Sequence, residues 1–104
     1  MPKPSKYRSV RTEVGGISFA SKKEARRWSE LLLLVRSGHI SDLRRQVRFD
    51  LDVNGIPVAK YIADHVYREK GKNIVEDVKG VLTPVYKIKR ALMLACHGIK
   101  IREV

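Results

Sequence analysis

The sequence predicts an α/β fold of the α+β kind, an αβββαβ order of elements with a mixed sheet flanked by helices, and three observations predict it. Two stretches carry apolar residues at helical spacing behind N-cap signals, one opening at Ser21 and one at Thr83. Between them lie three runs with strand-like alternation, separated by the turn signals Asn54-Gly55 and Lys70-Gly71-Lys72-Asn73. After the second helix, Ile99 and Ile101 alternate with Lys100 and Arg102, and a strand there must cross over the sheet, which favours parallel pairing.

Taken in order, residues 1–12 are rich in Lys, Arg, Ser and Pro without an apolar period, so they read as a flexible basic arm that Tyr7 and Val10 tack down, followed by one domain over 13–104. Glu13-Val14 and Ile17-Ser18-Phe19 flank Gly15-Gly16 and predict a small hairpin. Ser21 with Glu24 three residues later is a capping-box pattern, opening a helix that runs to about residue 37 with a core stripe of Glu24, Trp28, Leu31, Leu32 and Val35. A turn is expected around Ser41-Asp42. The run 46–51 alternates polar residues with Val47, Phe49 and Leu51, and the strand expected over 58–67 pairs antiparallel with it through a slightly longer loop. Within that second strand, alternation puts Ile62, Asp64 and Val66 on one face and Tyr61, Ala63, His65 and Tyr67 on the other. The third strand is Ile74-Val75-Glu76-Asp77-Val78-Lys79-Gly80, with Asp77 and Lys79 on one face and Glu76 on the opposite one. The last helix has Pro84 in its first turn and a stripe of Val85, Ile88, Leu92, Ala95 and Cys96, leaving Tyr86, Lys87, Lys89 and Arg90 outside.

Charge narrows the function. The 104 residues hold 22 Lys and Arg against 11 Asp and Glu, a net +11, so the expected partner is a polyanion. Nucleic acid is favoured over a membrane surface, because no apolar run approaches the ~20 residues of a spanning helix and the basic residues are scattered over several elements. One cysteine makes no internal disulfide and the N-terminus has no signal-peptide pattern, which suits a cytoplasmic protein. Cys96 falls in an apolar helical pattern without a ligand cluster and reads as core.

The acids need an explanation. Asp64 stands between two aliphatic residues, and Asp77 with Lys79 occupies an otherwise apolar strand, where unpaired charge is expensive. Asp77 and Lys79 form either a plain ion pair or a metal-binding acid beside a phosphate-directed lysine; Glu24 is either a helix cap or a site carboxylate. His65 and Glu76, on the faces opposite Asp64 and Asp77, read as structural. Lys87, Lys89 and Arg90 are either a solvated helix face or phosphate contacts.

Glu24 in Ser-Lys-Lys-Glu-Ala, Asp64 in Tyr-Ile-Ala-Asp-His and Asp77-Val78-Lys79-Gly80, in this order on these elements, resemble the PD-(D/E)XK nuclease superfamily, whose core is restriction-endonuclease-like. The layout is similar to that of phage endonuclease I junction resolvases and of small phage and prophage proteins carrying the same blocks. The resemblance covers nearly everything after the arm. It implies a Mg²⁺- or Mn²⁺-dependent endodeoxyribonuclease acting on branched or junction DNA, with Asp64, Asp77, the backbone carbonyl of Val78 and in part Glu24 holding the metal. It further implies that Lys79 holds or activates the attacking water. Asp77 stands where many relatives have Glu, one methylene longer. Lys22, Lys23, Arg26, Lys87, Lys89 and Arg90 are the expected DNA contacts, and cutting two strands symmetrically implies a homodimer. The rival expectations are a non-catalytic basic nucleic-acid-binding module, whose acids make ion pairs, and a small RNA-binding or ribosome-associated protein.

Overall fold

A computed structural model describes residues 11–104. Most of the expected basic arm, with Tyr7 and Val10, lies outside the described residues, while Thr12, its last member, opens the first strand. Strands β1 (Thr12–Val14) and β2 (Ile17–Phe19) form the expected hairpin. Helix α1 (Lys22–Arg36) follows, then β3 (Ile40–Val53), β4 (Ile56–Glu69), β5 (Lys72–Asp77), α2 (Pro84–His97) and β6 (Arg102–Glu103). The order αβββαβ stands behind the small hairpin, and the fold is α+β. The main sheet runs β3-β4-β5-β6, antiparallel except for the parallel β5-β6 pair that the crossover through α2 imposes. No helix among the described residues is long and apolar enough to cross a membrane.

Local chemistry explains most boundaries and several departures. Asn54 and Gly55 both take left-handed backbone (φ 51° and 78°), so the β3-β4 connection is a two-residue loop of the kind that matches strand twist, tighter than the longer loop expected. The turn expected at Ser41-Asp42 is instead a bulge inside β3: the register slips between Ser41 and Arg44 with Asp42 at φ 52°, and the chain reverses earlier, around Gly38. Helix α1 is rotated from its predicted stripe. Leu31 of that stripe is buried and Trp28 packs on Phe19 and His65, but Leu32 and Val35 are exposed, and Ala25 is buried and Arg27 turned inward against β5. Helix α2 is rotated likewise: Tyr86 and Met93 are buried, while Val85 and Ile88 of the expected stripe face solvent.

The most consequential departure is in β4. Val47, Tyr61 and Ala63 pack in the cluster built on Tyr86 and Met93 of α2. Two residues farther along each strand, Arg45 lies over the rings of Phe19 and Trp28, and His65 stacks on Trp28, all on the α1 side. Residues expected on one face are therefore divided between two. The cause is Gln46, whose left-handed backbone (φ 53°) breaks the alternation between the Arg45-His65 and Val47-Ala63 pairs. Asp64 stands opposite that break.

Candidate active site

Asp77 ends β5 and is 5% exposed. Its carboxylate accepts a hydrogen bond from the hydroxyl of Tyr61 and pairs at 2.9 Å with the Lys79 ammonium. Alternation along β5 holds as expected, so Asp77 and Lys79 look toward α2 while Glu76 looks toward α1. The segment is pinned from the crossover strand: the Val104 amide donates to the Asp77 carbonyl and the Lys79 amide donates to the Val104 carbonyl, each at 3.0 Å. Lys79 is held on two more sides, its Nζ 3.6 Å from the Tyr86 ring centroid and its carbonyl accepting from Lys23 Nζ at 2.6 Å.

Asp64 reaches the same place from β4. Its Oδ2 accepts the Val78 amide at 2.8 Å, and Gln46 Nε2 approaches Oδ1 at 3.5 Å. Burial pushes its pKa up to about 6; the Val78 amide opposes that rise, and the nearby carboxylates of Asp77 and Glu24 add to it. Glu24 arrives from the first turn of α1. The Ser21 hydroxyl caps this helix by accepting the Glu24 amide at 3.2 Å, and among the described residues no hydrogen bond returns from the Glu24 carboxylate to the Ser21 amide. The cap is thus made by Ser21 and the Glu24 backbone.

Glu24, Asp64, Asp77 and Lys79 line one cleft of about 460 Å³, together with Lys60, Tyr61, Tyr86 and Lys89. All four sequence-predicted site residues meet there. Among the described residues no three His, Cys, Asp or Glu side chains form a ready-made metal cage. The two aspartates nevertheless offer hard oxygen donors, Asp77 buried and Asp64 partly so, and burial together with the neighbouring carboxylates raises the pKa of Asp64. Such a pair suits a hexacoordinate hard cation that keeps waters and takes only one or two protein carboxylates.

The basic residues divide. Lys89 forms part of the cleft wall, Lys22, Lys23 and Arg26 are exposed on the first turns of α1, and Lys87 is exposed on α2. Arg90 is engaged by Glu103 through contacts of 2.9 and 3.2 Å, which weakens its claim as a DNA contact. Lys60, Tyr61 and Tyr86 of the cleft are not among the residues the sequence points to. Lys60 shares the face of Ile62 and Asp64 by plain alternation, Tyr61 enters with the part of β4 whose faces Gln46 reorders, and Tyr86 faces inward because α2 is rotated from its apolar stripe.

Behind the cleft, on the α1 side, Glu76 is completely buried. Arg27 grips it with two bonds of 2.9 and 2.7 Å, Tyr67 donates at 2.7 Å, and His65 Nδ1 lies 3.1 Å away. Burial alone would raise its pKa, but the bonds from His65, Arg27 and Tyr67 outweigh burial and bring it down to about 2. Both His65 and Glu76 thus sit away from the cleft. Cys96 is half-buried, its thiol donating to the Asp52 carbonyl.

A family model described as a protein of unknown function (DUF1064) matches residues 4–102. No curated protein matches the chain.

Proposed function

The chain belongs to the DUF1064 family, and we propose that this member is a metal-dependent endodeoxyribonuclease that hydrolyses phosphodiester bonds, with branched or junction DNA as its substrate. One observation carries the reading. Two aspartates from adjacent strands, Asp77 buried and Asp64 partly buried with a raised pKa, share a cleft with Lys79 and with further lysines. Carboxylates crowded in this way are unfavourable for binding a polyanion and useful only if a cation joins them.

Asp64, Asp77 and the Val78 carbonyl would hold Mg²⁺ or Mn²⁺, with Glu24 on the same cleft to complete the shell or to hold waters. Bound there, the metal would polarise the scissile phosphate and make water a better nucleophile. The chain's own residues do the rest. The Val78 amide fixes one oxygen of Asp64, so its carboxylate is oriented before any ligand arrives. Tyr61 does the same for Asp77. Lys79 orients the attacking water and offsets the charge that grows on the phosphoryl oxygens. Lys60 and Lys89 receive neighbouring phosphates along the cleft, and the exposed Lys22, Lys23 and Arg26 extend the track. Recognition mainly through phosphates suits a substrate read by shape. Two cuts in one junction require two such clefts, hence a homodimer, and the cytoplasm is the compartment proposed.

The second reading, a non-catalytic basic module, is favoured by the 2.9 Å Lys79-Asp77 pair and by the lack, among the described residues, of three acid side chains close enough together to hold one metal ion. One assay separates them: matched four-way-junction, splayed-arm and linear DNAs incubated with Mg²⁺, with Mn²⁺ and with EDTA, wild type against Asp77→Asn. Metal-dependent cutting that disappears in the variant supports the nuclease. Tight, salt-sensitive binding with no cutting under any metal returns Asp77 and Lys79 to an ion pair.

A further inference from the structure

Tyr86 has no part in the reading above beyond lining the cleft, yet it is 6% exposed and its ring forms the floor under the Lys79 ammonium, 3.6 Å from centroid to Nζ. The ring is itself braced, with Tyr61, the residue that bonds Asp77, at 6.4 Å between centroids. The phenolic hydroxyl is buried and makes no hydrogen bond of good geometry, although the Glu103 carboxylate lies near enough to act on it. A buried hydroxyl without a good bond is a burden to stability that a phenylalanine would lack. A tyrosine ring kept in this place answers to its face, and the face of an aromatic ring attracts an ammonium most strongly when both are shielded from water. Lys79 is only partly exposed, so both conditions hold.

We propose that Tyr86 is a positioning residue: its ring, not its hydroxyl, fixes the Lys79 ammonium at the mouth of the cleft and links the docking of α2 to the competence of Lys79. This rests on the endonuclease reading of the cleft. Asp77 alone leaves the lysine free to pivot about one oxygen, whereas a carboxylate on one side and a ring face on the other define its direction. The loop from Gly80 to Thr83 separates Lys79 from α2, so the ring reaches the lysine only when the helix is seated.

The test reads the lysine directly and then the reaction. In labelled full-length protein, the ε-methylene proton resonances of Lys79 should be displaced upfield by the ring current in wild type and in Tyr86→Phe, and return to the ordinary lysine position in Tyr86→Leu. Single-turnover cleavage of junction DNA should stay within about twofold in Tyr86→Phe and fall about thirtyfold in Tyr86→Leu, the equivalent of about 2 kcal/mol, while DNA affinity in EDTA is unchanged. A wild-type lysine without the upfield displacement overturns the proposal whatever the protein cuts. So does a Tyr86→Phe variant as slow as Tyr86→Leu, which would assign the effect to the hydroxyl. If Tyr86→Leu does not fold, the wild-type spectrum and the Tyr86→Phe rate still decide. A displaced lysine resonance in a wild-type protein that cuts no DNA overturns the endonuclease reading and the role of Tyr86 in it, and leaves the contact as packing.

Discussion

Glu76 and Asp77 are consecutive acids on one strand, and their surroundings differ in every respect that matters to chemistry. Glu76 faces α1, fully buried, with Arg27, His65 and Tyr67 closing around both oxygens and its pKa brought down to about 2. Asp77 faces the cleft with a tyrosine and a lysine, beside an Asp64 whose pKa is pushed up to about 6. A closed network with an arginine fork on a carboxylate is how a fold tolerates a buried charge. An aspartate whose pKa is pushed up by burial and by the charge of its neighbours does not help the fold, and a group perturbed in this way in a cleft is a candidate for function. The contrast distinguishes an acid that the fold holds in a closed network from an acid that opens on a cleft.

The largest expected effects test the cleft side. Asp77→Asn and Asp64→Asn should each lower junction cleavage by about a thousandfold or more while the far-ultraviolet circular dichroism stays native, and Lys79→Ala should cost about a hundredfold to a thousandfold. Cleavage at the wild-type rate by any of the three removes that residue from the site. The converse holds for the closed side. Glu76→Gln leaves the Arg27 guanidinium and His65 facing a neutral amide in the interior, and breaking a buried pair in this way costs about 3 to 5 kcal/mol. In a domain of this size the melting temperature should then drop by about 10 °C or more. If Glu76→Gln melts like wild type but cannot cut, the two faces have been assigned the wrong way round.

The two acids also give opposite responses to pH. Asp64 has a folded pKa above its unfolded value of about 4, so its contribution to stability is complete below that value and is lost as pH rises through about 6. Glu76 has a folded pKa below its unfolded value, so its contribution is present above about 4.5 and is lost as pH falls through about 2. Between pH 5 and 7 only Asp64 titrates of the two. Metal-free wild type should therefore gain stability on acidification through this window, and Asp64→Asn should flatten the slope. Mg²⁺ should stabilise wild type most at pH 7 and above, where Asp64 is ionised, and should not stabilise Asp64→Asn. An identical pH slope in both proteins would mean that the carboxylate is not crowded.

Much of this was legible in the sequence. The order of elements, the Ser21 and Thr83 caps, the opposite faces of Glu76 and Asp77, and the common destination of Glu24, Asp64, Asp77 and Lys79 all follow from periodicity, turn chemistry and the motif blocks. What escaped has two physical origins, one in the sheet and one in the helices. Periodicity assumes an unbroken backbone pattern, and Gln46, with a non-glycine residue in left-handed conformation, carries no signal in its neighbours. Past it, Tyr61 and His65 go to opposite sides of the sheet, and Tyr61 enters the cleft unforeseen. In the helices the stripes were chosen by apolar count. The true inward positions are held by Arg27, which answers Glu76, and by Tyr86, which supports Lys79. Long-range partners of this kind decide helix rotation, and a one-dimensional pattern does not contain them.

The smallest expected effect sharpens the same contrast at the start of α1, where one turn holds both a capping oxygen and a carboxylate on the cleft. Ser21 accepts the Glu24 amide through its hydroxyl, while the Glu24 carboxylate lies on the cleft. Removing the cap by Ser21→Ala should destabilise the protein by about 1 kcal/mol and leave cleavage by the folded fraction close to wild type. Glu24→Gln keeps the backbone amide that the cap uses, so it should melt within a degree or two of wild type yet cut junction DNA more slowly. The pair of melting curves and rates is decisive because the two residues share one hydrogen bond and differ in which end of it they supply. Should Glu24→Gln lose stability as Ser21→Ala does and recover full activity at low temperature, the carboxylate belongs to the helix and the site rests on Asp64, Asp77 and Lys79.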